Sequence, residues 1–141
     1  MQIRRVEDKD IAEISRWFQS IQWDLPAVER ALPKDGYVAE NDAGVLIACA
    51  WLYVTGSSVS FVQWTNTNPD VKDQEQSDGL SLIIKTIQEM APKLNPPINS
   101  LCIYTKNEKF KEKLKQLDFR SNFGFYQNTW VAKNESKSSK V

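Results

Sequence analysis

The sequence predicts an α/β domain, a mixed central sheet of six to seven strands with about four helices packed on it. Three observations predict it. The segment Val45–Val54, VLIACAWLYV, is apolar on both faces, as an interior strand covered above and below must be. Leu80, Ile83, Ile84, Ile87 and Ala91 fall on one stripe at helical spacing, the strongest periodic signal in the chain. Strand signals before that helix and at Ser100–Tyr104 after it make a strand–helix–strand crossover, normally right-handed between parallel strands.

Each element follows from local chemistry. Ile3 to Val6 makes a short first strand. Glu7, Asp8 and Asp10 then precede Ile11, Ile14, Trp17 and Phe18 at helical spacing, and acids suit the positive end of that helix. Leu25-Pro26 to Leu32 is a second, short amphipathic piece, stopped by Pro33 and the Asp35-Gly36 turn. Gly36–Glu40, Val45–Val54 and Val59–Thr65 follow as three antiparallel strands, separated by turns at Asn41–Gly44 and Thr55–Ser57. The polar stretch Asn66–Asp78 opens into the long apolar-striped helix, which Pro92 and Asn95-Pro96-Pro97 end. After Ser100–Tyr104, Phe110, Leu114 and Leu117 give a basic amphipathic helix, and Phe123–Val131 reads as one bent strand or a hairpin. One domain over 1–132 is expected, with 133–141 a disordered polar tail.

Composition narrows the chemistry. At 141 residues the chain can bury about two-thirds of its unfolded surface in one core. Eighteen Lys and Arg balance eighteen Asp and Glu, so no net field draws the chain to nucleic acid or to an anionic membrane. Any anionic ligand has to be bound locally. Histidine is absent, which removes histidine triads and imidazole relays and argues against a metal site. A general base, if one is used, is then a carboxylate, a positioned water or the substrate itself. Cys49 and Cys102 lie in apolar strand runs and read as small buried hydrophobes. The start carries charge without an apolar segment, and no stretch approaches the ~18 apolar residues that span a bilayer. A cytoplasmic protein is expected.

Two segments carry a resemblance. Gln74-Glu75-Gln76-Ser77-Asp78-Gly79 opens the long helix where small residues let main-chain amides approach an anion at the positive helix end. After the fifth strand, Asn107 is followed by Phe110, Leu114 and Asp118-Phe119 at offsets of three, seven, eleven and twelve. With the order β-α-α-β-β-β-α-β-α-β, these segments resemble the GNAT N-acetyltransferase superfamily over nearly the whole chain, Gln2 to Lys133. The Asn-Pro ending in TNTNPD is also similar to compact GNAT-like proteins of bacteriophages.

The resemblance implies acetyl-CoA as co-substrate and transfer of its acetyl group to a primary amine, on a small molecule or a protein, by direct attack. It implies that Trp64, Thr65 and Asn66 pair with the pantetheine arm through the exposed main chain of the fourth strand. It places the pyrophosphate at Gln74, Ser77, Asp78, Gly79 and Leu80, and a further contact at Asn107. Glu40 and Gln63 sit on strands that flank the acceptor amine, where a buried glutamate with a raised pKa acts as base. Asp24 and Glu29 lie in the region that shapes acceptor specificity. Leu114 stands where the family often has a tyrosine that protonates the departing thiolate, and leucine has no proton to give.

Each assignment has a structural counterpart. Asn66–Pro69 is also a good turn, Ser77 or Asp78 a good helix cap, the acids solvated edge residues and the lysines from Lys106 to Lys115 a solvated stripe. Of the five tryptophans, Trp17, Trp23, Trp51, Trp64 and Trp130, most belong in a core, while Trp23 and Trp64 can line a pocket or a partner surface. The second functional reading is therefore a GNAT-like protein without transferase activity, phage-encoded, that binds a host or virion protein. A homodimer is compatible with either reading.

Overall fold

A computed structural model describes residues 1–22, 32–122 and 125–129. Among them are seven strands and three α-helices: β1 Gln2–Arg5, α1 Ile11–Ser20, β2 Gly36–Glu40, β3 Leu46–Val54, β4 Val59–Thr67, α2 Asp73–Met90, β5 Ser100–Tyr104, α3 Glu108–Gln116, β6 Arg120–Asn122 and β7 Phe125–Thr129. Short 3₁₀ turns precede α1 at Asp8–Asp10 and follow α2 at Ala91–Lys93, the latter where Pro92 stops the α-helix. The expected helix at Leu25–Leu32 lies outside the described residues except for Leu32. So do Trp23, Asp24, Glu29, Trp130 and the tail.

The described residues group into two compact units, and these interleave along the chain: those of 1–53 with 62–86, and those of 54–61 with 87–129. No linker or shift in composition marks such a boundary, because neither unit is a contiguous stretch.

In the first unit the strand order is β1-β2-β3-β4. β1 pairs antiparallel with β2 from Gln2↔Glu40 to Arg5↔Tyr37, and β2 pairs antiparallel with β3, Val38 opposite Cys49. The β2–β3 turn is set by Asn41, whose Oδ1 accepts from the Ala43 and Val45 amides while Gly44 takes a φ of 78°. α1 buries Ile14, Trp17 and Phe18 completely, and they pack with Val38, Cys49 and Trp51. Neighbouring strand residues face the other way. Ala39 and Ile47 meet α2, which approaches so closely that a Cβ added to Gly79 would lie 2.7 Å from Ile47 Cγ2 and 3.4 Å from Ala39 Cβ. The apolar β3 predicted from sequence is thus covered on both faces.

In the second unit the order is β4-β5-β7-β6. The Ser58 carbonyl, just before β4, accepts from the amides of Asn99 and Ser100, so β4 and β5 start side by side. β7 pairs antiparallel with both β5 and β6. Of the predicted Phe123–Val131 segment, the described residues Phe125–Thr129 form β7, paired antiparallel with β6. α3 buries Phe110 and Leu114 and ends on Asp118 at φ 69°, with the Phe119 amide returning to the Leu114 carbonyl at 2.9 Å. Gln88 Nε2 donates to the Leu117 carbonyl and to Asn128 Oδ1, and Asn128 Nδ2 donates to the Asp118 carbonyl. This side-chain network satisfies the polar groups of the α3–β6 corner.

Candidate functional site

The site is built from the end of β4, the loop 68–72 and the start of α2, all in the first unit. β4 begins with regular alternation: Ser60 and Val62 are buried and Gln63 is exposed. From Trp64 to Thr67 every residue is half-buried. The alternation breaks because Trp64 adopts a φ of 55°, a left-handed conformation that costs a bulky residue about 1–3 kcal/mol and persists only where surroundings impose it. Three contacts impose it here. Trp64 Nε1 donates to the Tyr53 hydroxyl at 2.7 Å, its ring meets Phe18 edge-on with centroids 6.0 Å apart, and its carbonyl accepts from Cys49 Sγ at 3.5 Å. Burial pushes the Cys49 thiol well above its ordinary pKa, so it remains a protonated donor and not a nucleophile.

Beyond Trp64, Asn66 Oδ1 accepts from the Thr67 amide, while Asn66 Nδ2 is buried with no hydrogen-bond partner among the described residues. Asn68 then closes the loop: its amide and Nδ2 donate to the Ile47 and Leu46 carbonyls, and its Oδ1 accepts from the Asp70 amide in an Asx turn. Gln76 ties the helix to this loop through Nε2, which donates to the Asn68 and Val71 carbonyls at 2.9 Å each. Thr67 Oγ1 donates to Gln76 Oε1.

α2 starts at Asp73, and its first ladder bond runs from the Gln76 amide to the Lys72 carbonyl at 2.9 Å. The amides of Asp73, Gln74 and Glu75 precede that bond and mark the positive end of the helix. The residues expected to meet a pyrophosphate fall largely beyond this first turn. Ser77, Asp78, Gly79 and Leu80 lie in the second turn, inside the ladder, and Gly79 is small because β2 and β3 press on it. Asp78 is not a cap: it is exposed in mid-helix and accepts from Gln74 Nε2.

The acids around this helix start have partners. Asp70 meets Arg16 of α1 at 2.8 Å, and Glu75 accepts from Asn41 Nδ2 at 3.0 Å. Arg16 also binds Glu13, whose pKa it lowers together with the Trp17 indole N–H. Each of these pairs reduces the negative potential that an incoming anion would meet.

Glu40 is not poised as a base. Its carboxylate accepts from Arg4 Nε and Nη2 at 3.2 and 3.1 Å, and Arg4 grips Asp10 from both terminal nitrogens at 2.8 and 2.9 Å. Gln63 is exposed on β4. In the second unit Asn107 is the N-cap of α3, its Oδ1 accepting from the Phe110 amide at 3.0 Å. Asn107→Ala is therefore expected to cost about 1 kcal/mol, read from urea unfolding. Leu114 is fully buried, so that position is a packing site.

Tyr53, Cys49, Arg16, Asn68 and Gln76 shape the site without having been singled out for it in the sequence. Only Asn68 had a local signal, the Asn-Pro turn; the others act through partners far along the chain. Among the described residues no group of three or more His, Cys, Asp or Glu could hold a metal ion, and no helix is long and apolar enough to cross a membrane.

No protein-family model matches the sequence, and no curated protein matches it. Solved structures do match its architecture. A Mycobacterium tuberculosis protein solved in complex with CoA is similar with a TM-score of 0.71 and 15% identity, over 100% of this chain and 82% of its own. The ribosomal-protein-S18-alanine N-acetyltransferase of Escherichia coli is similar with a TM-score of 0.66 and 13% identity, over 94% and 97%. A GNAT-family acetyltransferase of Staphylococcus aureus Mu50 follows at 0.65 and 14%, over 91% and 98%. A strand distorted at one tryptophan, leading through an ordered loop into a helix start, is thus set in an architecture shared with these proteins: the chain has the GNAT acetyltransferase fold.

Proposed function

We propose that this chain is an N-acetyltransferase that takes acetyl-CoA as co-substrate and acetylates a primary amine, on a small molecule or a protein, by direct attack. The observation that carries this reading is the left-handed Trp64, which interrupts the alternation of β4 just where, in this reading, the main chain of Trp64, Thr65 and Asn66 meets a pantetheine arm. A few residues on, the first-turn amides of α2, Asp73 to Glu75, supply donors for the pyrophosphate at a positive helix end. The M. tuberculosis neighbour, solved with CoA, supports the same assignment.

The amine nitrogen attacks the thioester carbonyl, the carbon–sulfur bond breaks, and CoA leaves as the thiol. Rate would come from holding the two reactants in register and from main-chain donors polarising the carbonyl. Glu40, held by Arg4, and Leu114, buried in the core, take no part in proton transfer. The amine's proton passes to solvent, solvent protonates the departing thiolate, and Gln63 on the exposed side of β4 orients the acceptor.

The test is a thermal-shift titration of the full chain with acetyl-CoA. At 100-fold over the dissociation constant, the folded state gains about 2.7 kcal/mol, a rise in Tm of about 8 °C for a chain of this size. Absence of any shift at millimolar acetyl-CoA would overturn the reading in favour of a GNAT-like binding protein.

A further inference from the structure

Trp64 poses a physical question that the reaction alone does not answer: what keeps a bulky residue left-handed in mid-strand. A positive φ is costly for tryptophan, so the conformation stands only if contacts from other elements select it. The three contacts differ in what they can discriminate. The edge-on contact with Phe18 is apolar and tolerates small rotations of the indole. The Cys49 thiol is a weak donor at 3.5 Å. The bond from Trp64 Nε1 to the Tyr53 hydroxyl, at 2.7 Å, is the short directional contact of the set.

We infer that Tyr53 is a positioning residue: by accepting from the Trp64 indole it fixes the side chain that selects the left-handed backbone, and so sets the main chain of Thr65 and Asn66 for the ligand. The tyrosine acts through Trp64 and does not itself need to reach the reacting atoms. The inference rests on the acetyltransferase reading for its functional consequence, although the backbone effect does not depend on any ligand.

Tyr53 is suited to this by its place in the sheet. It stands near the end of β3, eleven residues before Trp64, and is half-buried against the same core as Phe18 and Cys49. Its ring packs as phenylalanine would, and only the hydroxyl is specific. Tyr53→Phe therefore removes the acceptor and keeps the packing, so a merely structural residue and a positioning residue give different results.

The experiment compares wild type and Tyr53→Phe as full chains in three measurements: amide hydrogen exchange without ligand, acetyl-CoA binding by calorimetry, and urea unfolding. Loss of one hydrogen bond predicts exchange about 3- to 10-fold faster at Trp64–Thr67, with β1 and β2 unchanged, and acetyl-CoA affinity weaker by a similar factor. Unchanged exchange at Trp64–Thr67 would overturn the inference, as would exchange accelerated equally throughout the first unit, which is the signature of a packing role. If wild type binds no acetyl-CoA while the local exchange still responds to the substitution, the acetyltransferase reading fails and the control of the β4 backbone by Tyr53 stands. If wild type binds and the variant binds equally well, Tyr53 does not position the ligand-facing strand.

Discussion

Asp10→Ala should lower the stability of the protein by about 3 kcal/mol, a fall of about 10 °C in Tm, because it breaks a buried charge pair from one side. Asp10 is only 4% exposed. Its carboxylate takes two hydrogen bonds from Arg4 and one from the Glu7 amide at 2.8 Å, and the Asp10 amide returns to the Glu7 carbonyl in a reciprocal cap before α1. Arg4 keeps Glu40 as a partner, which moderates the loss, whereas the Glu7 amide keeps none of its carboxylate contact. Asp10→Asn should be milder, since an amide oxygen can still accept one of the three bonds.

The pH dependence has a definite sign. Hydrogen bonding to Arg4, with the Glu7 amide assisting, holds Asp10 below the ordinary value of 3.8. Its folded-state value is therefore lower than its unfolded one, so its contribution is complete above about pH 4–5 and is lost as the pH falls through the folded value. Glu13, lowered by Arg16 and the Trp17 indole, acts in the same direction. Urea midpoints measured from pH 6 down to pH 3 should drop steeply for wild type and less steeply for Asp10→Asn. Parallel curves for the two proteins would show that Asp10 does not carry the acid sensitivity.

Gly79→Val should cost about 3 kcal/mol or more, and Gly79→Ala about 1–2 kcal/mol, the alanine being partly offset by its better helix propensity. The cause is steric. An added Cβ would lie 2.7 Å from Ile47 Cγ2 and 3.2 Å from Ile47 Cβ, so either α2 lifts from β3 or Ile47 leaves its rotamer. Since the helix start and the loop 68–72 move with α2, acetyl-CoA affinity should fall together with stability. A double-mutant cycle isolates the cause: with Ile47→Ala the clash is gone, and Gly79→Ala should become neutral or stabilising in that background. Additive losses would mean that Gly79 matters through its backbone and not through contact with Ile47.

Much of this was written in local pattern. Ile14, Trp17 and Phe18 predict the buried face of α1 because a helix repeats its environment every three to four residues, and that spacing holds whatever the helix packs on. Ser100–Tyr104 appears as a strand at its predicted bounds, fenced by prolines on one side and the polar start of α3 on the other. The beginning of α2 was less legible. Asp73–Asp78 is wholly polar and carries no periodic apolar signal, yet it is helical, because Gln76 bonds the carbonyls of Asn68 and Val71 and Glu75 reaches Asn41, 34 residues earlier. That earlier start puts Ser77–Leu80 inside the helical ladder and makes Asp73–Glu75 the first turn of α2.

The sequence alone determined the order of the described elements through α3, the faces they bury and the resemblance that names the fold, since each of these depends on the spacing of neighbours along one strand or helix. The tertiary structure decided which polar groups meet: Glu40 with Arg4 across 36 residues, Arg16 with Asp70 across 54, and the Trp64 indole with Tyr53. Periodicity records only how often a side chain faces the core. A charge pair or a left-handed tryptophan depends on distances between residues remote in the chain, and those distances exist only once the hydrophobic faces have packed.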